Sequence, residues 1–205
     1  MKLPSHSRLA RGFTLVELLT VMTIIGILAA LVLGTFKFVQ EKAARSRSEA
    51  EIKAMEAGLE SFKADNGAYP DNSTTQGVNA ATAFSPASYN NVSLILYRVL
   101  SGDTDLNRQV NTDDAKKDIY GGAVSPVPSP LVAPKIYFEF KPNQLLPTTT
   151  AAVTGLVDPW GNNYGYSTAN QTTPSNGFNP TFDLWSTGGK IGNTPDDRAK
   201  WIKNW

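Results

Sequence analysis

Arg11-Gly12-Phe13-Thr14-Leu15-Val16-Glu17 opens an apolar run that continues to Phe36. Glu17 is the single charge between Arg11 and Lys37, so residues 18–36 form nineteen uncharged positions in a row. As an α-helix, at ~1.5 Å per residue, they nearly span a hydrocarbon core of ~30 Å, and residues 13–16 complete the span. The stretch therefore reads as a membrane-inserting helix with a carboxylate near one end. A charge at the centre of such a helix costs roughly 2.5–3.5 kcal/mol, and less near the ends. A lone acid in this position predicts a function and a partner.

Upstream, residues 1–12 hold Lys2, Arg8 and Arg11 and no acid. Basic residues directly before an apolar span place that end in the cytoplasm and the rest of the chain outside, which in a two-membrane bacterium is the periplasm. An ordinary secretory signal is cut after its apolar region. Here Lys37, Glu41 and Lys42 follow, with no small cleavage-site residues. If the chain is cut before the run instead, the run survives as an anchor. The new amine then lies four residues before Glu17, one helical turn away. The alternative is a plain signal anchor in which Glu17 snorkels.

The basic leader, Gly12 and Phe13-Thr14-Leu15-Val16-Glu17-Leu18-Leu19 resemble the class III signal of type IV pilins and of the pseudopilins of type II secretion. The resemblance implies that a prepilin peptidase cuts between Gly12 and Phe13, that the Phe13 amine is methylated, and that Glu17 directs assembly. It also implies the fold: α+β, with a long N-terminal transmembrane and spine helix packed on a small antiparallel sheet. The expected division is a leader over 1–12, a transmembrane and assembly helix over 13–36, the amphipathic half of the same helix over 37–66, and a periplasmic pilin-like domain over 67–205.

Composition narrows the chemistry. Of 205 residues, 19 are Lys or Arg and 18 are Asp or Glu. Without the leader, 16 basic residues face 18 acidic ones, a formal charge of −2. Such a chain has no basic field for nucleic acid. Cysteine is absent, and the one histidine, His6, lies in the leader. A chain cut at Gly12 thus lacks Ser-His-Asp and Cys-His nucleophilic sites and His-ligated zinc. Most common hydrolase constellations are excluded.

No proline occurs between Pro4 and Pro70. From Lys37 the residues turn to Glu, Lys, Ala and Arg, all good helix formers. Ile52, Met55, Leu59 and Phe62 recur at helical spacing and predict one face packed on a domain. Asn66-Gly67 followed by Pro70 predicts the stop. Gly26 and Gly34 each weaken the apolar half by about 1 kcal/mol against Ala and allow close helix contact. Many type IV pilins have a proline at the place of Gly34, and the resemblance implies loosening between the two positions on assembly. The end of the helix, Lys63-Ala64-Asp65-Asn66-Gly67-Ala68-Tyr69-Pro70, is similar to the major, G-type pseudopilin.

The middle of the chain says least. Residues 71–91 read as loop, and 92–100 as a short helix with Asn91 as N-cap and Gly102 as stop. Residues 113–119 suggest another turn of helix. Pro126, Pro128, Pro130 and Pro134 mark an extended connector. Residues 136–140 alternate as a strand does. This segment is longer than the family usually has before its C-terminal sheet.

Asp158-Pro159-Trp160-Gly161-Asn162-Asn163-Tyr164 predicts a turn entering a strand at Tyr164-Gly165-Tyr166, with a second strand at Phe182-Asp183-Leu184-Trp185-Ser186. These runs and the terminal Asn-Trp are similar to the C-terminal half of G-type pseudopilins. In that family the loop after the Ser strand binds calcium. The resemblance therefore implies a site made by Ser186, Asp196, Asp197 and the Leu184 carbonyl. Lys190 stands where the family has an aspartate, and an ammonium cannot ligate calcium. The expected substitute is an ion pair from Lys190 to Asp196 or Asp197.

The function this implies is structural: a subunit of a type II secretion pseudopilus. Its implied partners are copies of itself, minor pseudopilins, prepilin peptidase, the inner-membrane assembly platform and, before assembly, membrane lipid. The alternative within the class is a type IV pilus for adhesion, motility or DNA uptake. A rival of another class is an anchored glycan-binding module using Trp160, Tyr164, Tyr166 and Trp185. It competes with the packing of those rings against the long helix.

Overall fold

The computed structural model describes residues 12–192 and 194–205, leaving the leader's Lys2, His6, Arg8 and Arg11 outside the described residues. Two compact units are distinguished, Met1–Ala43 and Ala44–Trp205. Helix α1, Leu15–Asn66, contributes to both and is helical through Gly26 and Gly34.

In the first unit the apolar side chains face outward. Phe13, Leu15, Leu18, Leu19, Met22, Ile25 and Leu28 are all exposed. A helix apolar all round suits lipid or a bundle rather than water. Two of its hydroxyls are satisfied internally: Thr20 donates to the Val16 and Glu17 carbonyls and Thr23 to the Leu19 carbonyl. Those bonds matter where no water can replace them.

The second unit is built on the other half of α1. Ile52, Met55, Leu59 and Phe62 are buried, the face that the spacing predicts. Gly67 then takes φ +81°, a left-handed stop, and its N–H donates to the Lys63 carbonyl. Helix α2, Ser73–Gln76, follows, and the side chain of Asn72 accepts from the Thr74 and Thr75 N–H groups. This short helix replaces an expected loop, because four residues are too few to show a period.

Helix α3, Asn90–Ser101, buries Val92, Leu96, Val99 and Leu100 and stops at Gly102 in the left-handed region. Asn90 is already helical, at φ −56° and ψ −42°, so Asn91 lies inside the helix and is not its cap. A three-ten turn, Pro86–Tyr89, leads directly into α3. Another, Thr112–Lys116, forms where a further helical turn is expected.

Residues 136–140 are not a strand. The Tyr137 and Phe138 N–H groups both donate to the Leu100 carbonyl at the end of α3, and the chain bends at Tyr137. Their alternation reflects packing rather than a ladder. Tyr137 meets Phe62 edge-on at 5.5 Å, and Phe140 meets Tyr97 at 5.3 Å.

The strands are short and antiparallel. β1 (Leu145–Leu146) pairs β2 (Gly155–Leu156). β3 (Gly165–Ser167) pairs β4 (Asp183–Ser186), with Tyr166 opposite Leu184. Between them lies α4, Ala169–Thr172. After β4 come α5, Pro195–Ala199, and β5, Ile202–Lys203, which pairs β4 with Ser186 opposite Ile202. The architecture is α+β: a long N-terminal helix with small antiparallel sheets. Gly165 is required where it stands, since a Cβ there would lie 2.0 Å from the Trp185 ring.

Candidate functional site

The head of α1 is a capping box. Thr14 precedes the first helical residue and Glu17 is the third within the helix. The Glu17 N–H donates to Thr14 Oγ1 at 3.2 Å, and Glu17 Oε2 accepts from the Thr14 N–H at 2.9 Å and from Thr14 Oγ1 at 2.8 Å. Helix starts leave N–H groups unpaired, and this reciprocal pair satisfies two of them. The one charge of the apolar run is therefore fastened to its own helix end. Gly12 and Phe13 precede the helix without regular structure, and Phe13 is 75% exposed. The Gly12–Phe13 bond lies one residue before the cap.

In the second unit, α1 is tied to the sheet by a buried polar contact. The Tyr164 hydroxyl donates to Glu51 Oε2 at 2.6 Å, and Arg47 Nε donates to the other oxygen at 2.7 Å. Ser48 Oγ lies 3.4 Å from the same hydroxyl. Burial, then the Glu51 charge, pushes the Tyr164 phenol well up. It stays a donor at any physiological pH.

The residues of the expected calcium loop are engaged in other bonds. Ser186 Oγ donates to Asp158 Oδ2 at 2.5 Å and accepts from the Gly188 N–H. Asp158 also accepts from the Trp160 and Asn162 N–H groups, and burial pushes its carboxyl up. The Leu184 carbonyl accepts from the Asn204 N–H at 3.2 Å. Asp196 and Asp197 sit on α5, where Thr194 caps the helix and donates to Asp197 Oδ2 at 2.6 Å. Among the described residues no hydrogen bond joins Ser186 to either aspartate, and no ion pair joins Lys190 to either. Tyr164, Tyr166 and Trp185 are fully buried, so these three rings form core rather than an exposed platform.

Three carboxylates do converge elsewhere. One oxygen each from Asp103, Asp105 and Asp114 lies within 4.8 Å of the others. Asp103 and Asp105 belong to the connection after α3, and Asp114 to the three-ten turn at Thr112–Lys116. The spacing of acids and amides in Asp103-Thr104-Asp105-Leu106-Asn107 is the one local signal of it.

Comparison with known proteins agrees with the head of α1. A family model described as the prokaryotic N-terminal methylation motif matches residues 7–33. The chain is 43% identical over 70 residues to the type II secretion system core protein G of Pectobacterium carotovorum subsp. carotovorum, covering 34% of this chain and 44% of that protein. It is 45% identical over 69 residues to the protein of that name from Pseudomonas aeruginosa, covering 34% and 47%. For Aeromonas hydrophila the values are 40% over 75 residues, covering 37% and 51%. The chain thus spans about half the length of the curated relatives it matches. No solved structure matches it. The motif, the relatives and the apolar helix mark a single-pass, membrane-anchored chain.

Proposed function

We propose that this chain is a structural subunit of a type II secretion pseudopilus. Prepilin peptidase cuts between Gly12 and Phe13 on the cytoplasmic side, and the Phe13 amine is methylated. The C-terminal unit stands in the periplasm. Subunits leave the lipid and stack by their apolar helices, together with minor pseudopilins and on an inner-membrane assembly platform. The single observation that carries this reading is the methylation motif over residues 7–33 at the head of an outward-facing apolar helix.

Glu17 has its part in assembly, a reading supported by its place at the head of the helix. An unpaired charge in an apolar filament core is strongly disfavoured, so its neutralisation sets the register between subunits. In the single chain Thr14 holds the carboxylate in place. In the filament the Phe13 amine of a neighbour supplies the countercharge. The role is structural rather than enzymatic, in keeping with a mature chain that has neither His nor Cys. It does not rest on calcium at Leu184, Ser186, Asp196 and Asp197, since Ser186 already donates to Asp158.

The test is the exoproteome of a deletion strain against its parent. Loss of a set of exported proteins from the medium, with their accumulation in the periplasm, is the expected result. An unchanged medium in a strain without a paralogue refutes the secretion role.

A further inference from the structure

Two stretches of the second unit pack against opposite flanks of α1. Arg45 Nη1 donates to the Lys200 carbonyl at 2.8 Å, and the Glu56 carboxyl shares a hydrogen bond with the Asn204 side chain. Arg47 Nη2 donates to Asn143 Oδ1 at 3.1 Å, and a Cβ on Gly58 would lie 3.7 Å from the Phe138 Cβ. In an α-helix, residues eleven apart share a face, whereas residues two apart point about 200° from each other. Arg45 and Glu56 therefore mark one flank and Arg47 and Gly58 the other, with the buried stripe of Ile52, Met55, Leu59 and Phe62 between them. Residues 200–204 meet the first flank and residues 138–143 the second.

Each flank carries an open pocket with an unpaired charge. On the first, a groove of about 340 Å³ is lined by Phe178, Pro195, Arg198, Ala199 and Lys203, with no acid among them. Among the described residues neither the Arg198 guanidinium nor the Lys203 ammonium makes an ion pair or a hydrogen bond. They stand over rings instead. Arg198 Cζ lies 5.3 Å from the Phe84 centroid, and Lys203 Nζ lies 5.0 Å from that of Trp205, on which Phe178 stacks at 4.6 Å. On the second flank, a pocket of about 390 Å³ has Tyr97, Phe138, Glu139 and Phe140 in its walls, with exposed Ile136. Its other charges are taken. Asp103 accepts from Tyr97 and from the Asn107 and Arg108 N–H groups, and the Arg108 side chain donates to the Ala151 and Pro147 carbonyls. Lys141 lines the neighbouring groove along α1 instead. Glu139 is exposed and, among the described residues, has no ion pair and no hydrogen bond.

A carboxylate among aromatic walls suits a cation, and two cations in a groove without an acid suit a carboxylate. In one chain the helix holds these groups apart on its two flanks. Between chains set side by side they can meet. We propose that a second copy of this chain docks here, the Arg198 and Lys203 head groups of one copy entering the pocket of Phe138, Glu139 and Phe140 on the next and pairing with its Glu139. The two patches differ, so the contact is head-to-tail. Each copy keeps one flank free for another, and the series grows unless its rotation closes a ring. The proposal rests on the pseudopilus reading, in which copies stack by their apolar helices, and it names the contact that the second units of neighbouring copies make.

The test uses the full chain, which has no cysteine of its own, in the native host. Reversing either side, with Glu139→Arg or with Arg198→Glu and Lys203→Glu together, should cut sheared filament at least about tenfold, because like charges then face each other. Combining all three substitutions in one chain should restore it toward the parent. Glu139→Cys with Lys203→Cys, treated with a short thiol cross-linker, should give a ladder of dimers, trimers and longer species of this chain, which neither single variant gives. Should a reversed chain be degraded, or the filaments be too short to shear, the ladder decides. Normal filaments from every reversed chain, or no ladder from filaments that do form, overturn the contact and leave the pseudopilus reading standing. A block that the combined reversal does not relieve, or cross-links only to a different subunit, overturns it too. No filament from the parent, with an unchanged exoproteome in its deletion strain, overturns both.

Discussion

Replacing Tyr164 with Phe removes one oxygen and should cost more than its size suggests. The hydroxyl donates to Glu51 Oε2 at 2.6 Å, in a place where Tyr164 is fully buried and Glu51 nearly so. Hydrogen bonds to charged groups contribute roughly 1.5–3 kcal/mol, and a buried carboxylate that loses a donor keeps its desolvation cost. Arg47 still holds the other oxygen, which limits the loss. The expected destabilisation is about 2 kcal/mol, or roughly 4–8 °C in melting temperature for a unit of this size. Among the described residues the buried apolar side chains run from Ile52 to Ile202, all within Ala44–Trp205, so residues 44–205 suit urea unfolding. The slope with urea should stay unchanged, since no buried surface is exchanged. A cycle with Glu51→Ala isolates the pair. A loss below about 0.5 kcal/mol, or no coupling in the cycle, refutes the claim that this bond fastens α1 to the sheet.

Glu17→Ala should leave cleavage at Gly12 and methylation of Phe13 intact and block filament assembly; mass spectrometry and shear fractions read the two separately, and normal filaments exclude the register role. Gly165→Ala should destabilise residues 44–205 by at least the ~1–3 kcal/mol of an overpacked core, because its Cβ would lie 2.0 Å from the Trp185 ring; a melting curve like the parent's would show that the ring moves freely aside. Burial pushes the Asp183 carboxyl up, against its bonds from the Asn179 and Phe178 N–H groups. A raised folded pKa means that the folded state binds the proton more tightly than the unfolded one. Its contribution is therefore greatest below about pH 4 and is lost as pH rises through the folded value. The stability of Asp183→Asn relative to the parent should accordingly rise with pH across that window and then level off, whereas a flat difference would contradict the shift.

The head of the chain is legible from its residues alone. An apolar run with one acid, basic residues before it and helix formers after it forces a helix, because backbone groups in lipid must bond within the segment. The buried stripe of Ile52, Met55, Leu59 and Phe62 is equally legible, since its period is the helix's own. Local order stops being enough at 136–140, where alternation predicts a strand. A strand needs a neighbour to pair with, and here the end of α3 supplies the hydrogen-bond acceptor instead. Helix α2 and strand β5 are too short to carry a period at all.

Sequence by itself thus determined the apolar helix, the buried stripe of Ile52, Met55, Leu59 and Phe62 and the positions at which helices end, because these depend on residues within a turn or two of each other. Tertiary structure alone decided which long-range partners each polar group takes. It committed Ser186 to Asp158, left Lys190 without an ion pair to Asp196 or Asp197 among the described residues, and buried Tyr164, Tyr166 and Trp185 as core. It also brought one carboxylate oxygen each of Asp103, Asp105 and Asp114 within 4.8 Å of one another. A side chain's partner depends on how the chain folds back over tens of residues, and no spacing along the sequence encodes that distance.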